Sequence, residues 1–198
     1  MLKKSILIIV LVLLIDQVSK IYVKTNFIYG EEVVVFDWFR IHFIENNGMA
    51  WGAEFGGKTG KLLLTVFRII AISGIGYWLF NAIKKGAPNL LIIAVSLVFS
   101  GALGNIIDSV FYGVIFNSPL NEPATMFAAE PYGELLYGKV VDMLYFPIWQ
   151  GNLPEWIPGV GGQNFTFFNA IFNVADTAIS TAVGIMIFFN KKVFPKGI

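Results

Sequence analysis

Four apolar segments, each about as long as a bilayer is thick, limit what this chain can fold into. A helix needs about 20 apolar residues to cross the hydrocarbon core of a membrane. The segments that reach this length are residues 5–23, 62–83, 90–111 and 167–189. They predict an all-α membrane fold, a four-helix bundle in one integral membrane domain spanning residues 1–198. The composition, 56% hydrophobic and 14% charged, agrees with this class of protein.

Lysines flank the four segments on one side only. They are Lys3, Lys4, Lys84, Lys85, Lys191, Lys192 and Lys196. Because cytoplasmic loops are enriched in Lys and Arg, this asymmetry predicts that both termini are cytoplasmic. Residues 24–61 and 112–166 are then expected to form two extracytoplasmic loops.

The two long loops differ in their sequence patterns. In the first, Phe39, Ile41 and Phe43 alternate with polar residues, which predicts a half-buried strand in a small extracytoplasmic β platform. The second is long and dense in Pro and Gly, which predicts irregular structure. It offers few obvious apolar anchors, so we expect it to be a partly mobile cover.

Several of the apolar segments contain ionisable or polar residues. An acid inside a membrane costs several kcal/mol, so Asp16, Asp108 and Asp176 are expected to face a polar interior. Asp16 and Lys20 form an i, i+4 pair of opposite charge. Counted along the helices, Asp16 and Asp176 lie about 12 Å below the outer surface. Two polar faces are predicted: Ser96, Ser100, Gly104 and Asp108 on the third helix, and Asn173, Asp176, Thr177, Ser180, Thr181 and Gly184 on the fourth.

The residue types present restrict the chemistry that such a polar interior could perform. The chain has no Cys and one His, His42, so thiol catalysis, a zinc site and a serine triad are not expected, and neither a metal nor a cofactor is predicted. A net charge of +1 without a basic patch gives no indication of nucleic-acid binding. Three interpretations remain open: hydrolysis by paired aspartates, proton or cation transport along the same acids, and polar contacts that only hold the helices together.

Five short motifs, in order along the chain, carry a family resemblance. They are DQVSK (16–20), ENNGMAWG (45–52), SGALGNIIDS (100–109), VVDM (140–143) and FNVAD (172–176). In this order they resemble the lipoprotein signal peptidases, also called signal peptidase II, which are aspartyl endopeptidases of the bacterial inner membrane. The resemblance implies cleavage of diacylglyceryl-modified prolipoproteins before the lipid-modified Cys, near the outer face of the membrane. It also implies contact with membrane lipids and inhibition by globomycin-type compounds.

The resemblance assigns roles to residues in each motif. It implies that Asp142 and Asp176 are the catalytic pair. The supporting positions that it implies are Asp16, Lys20, Asn46, Gly104, Asn105, Asp108 and Asn173. The chain departs from the family pattern in two respects. Ser109 stands where an Arg usually follows the aspartate of GNxxD, and the outer loop is lengthened by insertions around residues 115–138 and 147–165. We expect that Arg68, on the second helix, supplies the missing cation.

Overall fold

A computed structural model describes residues 1–48, 56–119 and 121–195. The helices are α1 (Leu2–Asn26), α2 (Gly57–Lys84), α3 (Asn89–Ile107), α4 (Gly113–Ile115), α5 (Val174–Phe188) and α6 (Asn190–Val193), with a π-helical turn, Asp108–Tyr112, between α3 and α4. The strands are β1 (Glu32–Phe36), β2 (Phe39–Asn46), β3 (Val140–Tyr145), β4 (Trp149–Asn152), β5 (Asn164–Phe167) and β6 (Ile171–Phe172).

Among the described residues, three helical segments are long and apolar enough to cross a membrane. They are Leu2–Asn26, Gly57–Lys84 and Asn89–Ile115, the last of which includes the π-helical turn and α4. Each contains one of the first three predicted segments. The chain is therefore a multi-pass membrane protein in its architecture. A fourth apolar helix, α5, has 15 residues, which is about 22 Å at 1.5 Å per residue.

The predicted fourth span, 167–189, begins too early. Residues Ile171–Phe172 form β6, and α5 begins only at Val174. The Asn173 side chain accepts a hydrogen bond from the Asp176 N–H, while the Asp176 carboxylate accepts one from the Asn173 N–H. This reciprocal capping box fixes the helix start. Asp176 consequently lies in the first helical turn, and not nine residues into a helix that begins at residue 167.

Helix α3 is central to the bundle and packs against α1, α2 and α5. A Cβ atom on Gly101 would collide with the Ala175 carbonyl, so α3 and α5 are in close backbone contact there. The predicted polar face of α3 is buried, and the Ser96 hydroxyl pairs with that of Ser5 on α1 at 2.7 Å. These contacts are typical of small-residue packing between membrane helices.

The predicted polar face of the fourth helix is not the face that packs. The buried residues of α5 are Ala175, Ala178 and Ala182, whereas Thr177, Ser180 and Thr181 are exposed. The α3 backbone lies against Ala175 at Gly101 and Gly104, so the alanine face of α5 is the one that packs. Asp176 instead reaches the interior from the end of the helix.

The small β platform predicted from residues 39–43 is an antiparallel sheet with strand order β1-β2-β3-β6. Its central pairing aligns Asn46 with Val140, Glu45 with Val141 and Ile44 with Asp142. Strand β3 is almost completely buried. Strands β4 and β5 form a separate hairpin. The region 112–166 therefore contains strands that the Pro- and Gly-rich sequence did not predict.

The second loop is also better anchored than its composition indicated. Phe116 is fully buried and packs with Val23 of α1 and Phe43 of β2 in the core beneath the sheet. Lys24 is buried in an ion pair with Glu45 and lies 5.1 Å from the Tyr132 ring centroid. The expectation of few apolar anchors was wrong, because aromatic side chains spaced far apart in sequence converge on α1 and β2.

Candidate active site

Asp142 lies at the centre of β3 with its carboxyl group buried. Asn173 Nδ2 donates to its Oδ1 at 2.7 Å, and Asn46 Nδ2 donates to its Oδ2. Burial, reinforced by the negative charge of Asp176, raises the pKa of Asp142 to about 7, although the two amide hydrogen bonds and the Lys20 charge oppose the rise. A carboxyl group in this position holds or releases a proton near neutral pH.

Asp176 approaches the same point from the first turn of α5. Its Oδ1 accepts a hydrogen bond from Asn105 Nδ2 at 2.8 Å, and its Oδ2 accepts one from the Asn173 N–H at 3.3 Å. Both oxygens therefore face donors, and the positive end of the helix dipole favours a negative charge there. Unlike Asp142, the residue is only partly buried, so the pair has one side open to approach.

Two asparagine amides connect these carboxyl groups. Asn173 Nδ2, besides bonding Asp142, lies 3.1 Å from Asn105 Oδ1, and Asn105 Nδ2 donates to Asp176. Lys20 Nζ donates to Asn105 Oδ1 at 2.8 Å, which fixes the orientation of that amide. Asn173 is likewise fixed, because its Oδ1 accepts the Asp176 N–H. The amides hold both carboxyl groups in one hydrogen-bonded network.

Beneath this network lies a buried charged cluster. Lys20 Nζ is 2.9 Å from Asp16 Oδ2 and 2.8 Å from Asp108 Oδ2, and all three side chains are fully buried. Asp16 Oδ1 accepts the Ala175 N–H at 2.9 Å, and Asp108 Oδ2 accepts the Val141 N–H at 3.3 Å. The cluster thus holds the backbone beside both candidate catalytic residues.

Gln17 completes the charged cluster and was not among the predicted site residues. Its Nε2 donates to Asp16 Oδ2 at 3.0 Å and to Asp108 Oδ1 at 2.9 Å, and its Oε1 accepts from the Tyr112 hydroxyl. A signal was present in the sequence, since Gln17 lies inside the DQVSK motif directly after Asp16.

Gly104 belongs to the site for a steric reason. A Cβ atom there would lie 2.5 Å from Asp16 Oδ2 and 3.3 Å from Ala175 Cβ. Only glycine lets the Asp16 carboxylate pass between α3 and α5 to reach the Ala175 N–H. All nine residues predicted for the site thus lie in one connected region, where α1, α3, β2, β3 and the start of α5 meet.

The expected pairing of Arg68 with Asp108 does not occur. The cation on Asp108 is Lys20, whereas Arg68 donates to the Gly48 carbonyl. The Ser109 hydroxyl donates to the Asn105 carbonyl at 3.0 Å. His42 lies elsewhere, on β2, edge-on to a tyrosine ring.

The arrangement is suited to hydrolysis by two carboxyl groups. One buried carboxyl group near its pKa and one ionised carboxylate can together activate a water molecule and protonate a leaving group. Within residues 1–48, 56–119 and 121–195, no group of three or more His, Cys, Asp or Glu side chains could hold a metal ion.

Known proteins resemble this chain over most of its length. The family model of signal peptidase (SPase) II matches residues 8–191. A lipoprotein signal peptidase of Porphyromonas gingivalis is 46% identical over 174 residues, which cover 87% of this chain and 76% of the relative. One of Amoebophilus asiaticus is 38% identical, covering 89% and 73%. A bacterial membrane enzyme solved by the in meso method superposes with a TM-score of 0.63 at 27% identity, covering 99% and 95% of the two chains.

Proposed function

The chain belongs to the signal peptidase II family, the lipoprotein signal peptidases, and on that basis we propose that Asp142 and Asp176 are its catalytic pair. The chain is an aspartic peptidase that cleaves the signal peptide from lipoproteins. The observation that carries the proposal is the link between the two carboxyl groups through the amides of Asn105 and Asn173. The transporter alternative has no support from the family.

In the proposed reaction the two carboxyl groups have different protonation states. Asp176, whose oxygens accept two N–H groups, is the ionised member and removes a proton from the attacking water. Asp142, whose pKa is raised to about 7, is the protonated member and donates to the scissile carbonyl oxygen. The tetrahedral intermediate then collapses as the proton on Asp176 passes to the leaving amine and one hydroxyl group of the intermediate returns a proton to Asp142, which restores both carboxyl groups to their starting states. No covalent enzyme intermediate is required.

The other site residues support this pair in separate ways. Asn46, Asn105 and Asn173 orient the two carboxyl groups. Asp16 and Asp108 hold the adjacent backbone, Lys20 pairs with both of their carboxylates, and Gly104 provides the space that the Asp16 side chain occupies. Buried ion pairs of this kind fix the positions of their partners more reliably than they add to the free energy of unfolding.

We propose that four helical segments cross the membrane. The fourth would combine α5 with α6, since Val174–Val193 is about 30 Å long. Met1, Ala82, Leu91 and Val193 pack into one cluster at the end of the bundle where the flanking lysines lie, which supports a cytoplasmic location for that end and both termini. The sheet and the catalytic pair, at the opposite end, would face the outside of the bacterial inner membrane.

The proposed substrates are prolipoproteins that carry a diacylglyceryl group on the Cys after the cleavage site. Their acyl chains would remain in the bilayer among the membrane lipids that surround the helices, while the peptide reaches the partly open side of the pair at Asp176. Globomycin-type inhibitors would occupy the same site.

Cleavage in detergent tests the proposed function. Purified full-length protein should release the signal peptide from a lipid-modified precursor in the absence of any ion gradient, and a globomycin-type inhibitor should block the release. The unmodified precursor should be cleaved at least about tenfold more slowly. Equal cleavage of both precursors would contradict the proposed lipid requirement, and no cleavage of either would contradict the function.

A further inference from the structure

Two cations on one face of α2 hold the turn that follows β2. Lys61 Nζ donates to the Asn47 carbonyl at 2.9 Å, and Arg68 Nη2 donates to the Gly48 carbonyl. Lys61 and Arg68 lie two helical turns apart, so both side chains point to the same side of the helix. Lys61 is buried, and Arg68 is partly buried. The turn is therefore fixed to α2 as well as to the sheet.

The backbone of this turn is shaped to receive the Arg68 side chain. Gly48 has a φ of +91°, a conformation that residues with a Cβ rarely adopt. A Cβ atom at this position would also collide with the Arg68 guanidinium group. Both the conformation and the close contact thus require glycine.

The same turn determines where the Asn46 amide points. The Gly48 N–H donates to Asn46 Oδ1 at 2.6 Å. Since that oxygen is occupied by the turn, the Nδ2 end of the amide is directed to the Asp142 carboxylate, to which it donates. A continuous path of contacts leads from Arg68 through Gly48 and Asn46 to Asp142.

We propose that Arg68 is a positioning residue for the peptidase reaction, which acts by holding Gly48 and so fixing the Asn46 amide on Asp142. The inference rests on the proposed role of Asp142 in the catalytic pair. Arg68 does not take the place of a cation on Asp108, where Lys20 already lies.

A double-mutant cycle on the full-length protein tests this path. Arg68→Ala should lower kcat about 10- to 100-fold with a smaller change in KM, because small displacements of catalytic groups have effects of this size. Asn46→Ala should lower kcat similarly. If Arg68 acts through Asn46, the double variant should be no slower than Asn46→Ala alone. Arg68→Lys should recover part of the lost rate, since it retains a charged donor.

Matched variants separate this inference from general damage to the fold. Arg40→Ala removes an arginine of β2 that pairs with Glu32 away from the site, and should leave kcat unchanged within about twofold. Gly48→Ala disrupts the same contact from the turn, and keeps the test decisive if Arg68→Ala does not fold. In protein that already carries Asn46→Ala, Gly48→Ala should likewise cause no further loss of kcat.

Two results would overturn the inference. One is a double variant whose loss of kcat equals the product of the two single losses. The other is wild-type kcat in folded Arg68→Ala or Gly48→Ala. Asp142→Asn, measured alongside, distinguishes this failure from a failure of the proposed function. If Asp142→Asn is inactive, only the role of Arg68 is wrong, and if it is active, the catalytic pair itself is wrong.

Discussion

At the centre of β3, the Asp142 side chain is almost completely buried, on the face of the strand opposite to Val141 and Met143. An ionised carboxylate in such surroundings loses most of its hydration, and this loss is the main cause of its raised pKa. The nearby carboxylate of Asp176 acts in the same direction. The Asn46 and Asn173 amides act in the opposite direction, because they donate to the carboxyl oxygens. This balance leaves the pKa at about 7, in the range useful for a general acid.

The pH dependence of cleavage follows from this balance. Asp142 is protonated below its pKa, so kcat/KM should fall as the pH rises through about 7. The Asn46 hydrogen bond favours the ionised form, so in Asn46→Ala the pKa of Asp142 should rise and the alkaline limb should move to higher pH. The measurement is kcat/KM from pH 5 to 9.

The matched control for this shift is Asn26→Ala. Asn26 is an exposed asparagine at the end of α1 whose amide bonds only with its own helix, at Tyr22 and Thr25. Its loss should leave the pH profile unchanged. An alkaline limb that moves to lower pH in Asn46→Ala, or a wild-type profile that is flat up to pH 9, would show that Asp142 is not the acid.

Among the elements, the contact of α3 with α1 and α5 determines the geometry of the site. Gly101 and Gly104 bring α3 against the Ala175 backbone and methyl group, and Gly104 also leaves space for Asp16. Asp16 can therefore cap the Ala175 N–H at the start of the helix that carries Asp176. The packing of three helices and the placement of one catalytic residue thus depend on the same small side chains.

Gly104→Ala should be destabilising for this reason. The added methyl group would lie 2.5 Å from Asp16 Oδ2, so the helices must separate or Asp16 must move, at a cost of about 1–3 kcal/mol in the free energy of unfolding. Cleavage should fall as well, because Asp16 would lose its contact with Ala175. Thermal unfolding in detergent and the rate of cleavage measure the two effects.

Gly184→Ala is the matched control within α5. A Cβ atom at Gly184 meets nothing within 4 Å, so this variant should keep wild-type cleavage and change the stability by less than about 1 kcal/mol. If Gly104→Ala proved as stable and active as Gly184→Ala, the steric role of Gly104 would be wrong.

The elements differ in how far the sequence could predict them. The first three helices follow from apolar length alone, and strand β2 follows from the alternation around Ile41. The start of α5 could not be read from hydropathy, because residues 167–172 are as apolar as a helix but contain the end of β5, an irregular segment and strand β6. Its start at Val174 depends on the side-chain cap of Asn173, a local feature that hydropathy does not register.

At the scale of the whole molecule, the candidate catalytic pair is divided between two structural units. Asp142 belongs to the sheet, and Asp176 belongs to the helical bundle. The charged cluster joins the two units, since Asp108 holds the β3 backbone at Val141 and Asp16 holds α5. The Lys24–Glu45 ion pair, between α1 and β2, is a second connection between the bundle and the sheet. The alignment of Asp142 with Asp176 therefore depends on how firmly the sheet is held against the bundle.

This division explains which parts of the site were accessible from sequence. The helical pattern predicted that Asp16, Lys20 and Asp108 share one polar layer, and in the structure Lys20 pairs with both acids. Nothing in helical periodicity could join Asp142 to that layer, because its position depends on the pairing of β3 with β2, a contact between segments almost 100 residues apart. The family resemblance assigned Asp142 its role. The partners of Arg68, which arise from tertiary packing, were predicted incorrectly.

The most direct test of this account compares three aspartates in the cleavage assay. Asp142→Asn and Asp176→Asn should each lower kcat by about 10³-fold or more, in folded protein that still binds a globomycin-type inhibitor. Asp108→Asn should mainly lower stability, since it leaves Lys20 buried with one partner fewer, and should keep measurable cleavage per folded molecule. Substantial cleavage by Asp142→Asn, together with complete loss in a stable Asp108→Asn protein, would contradict the assignment of the pair.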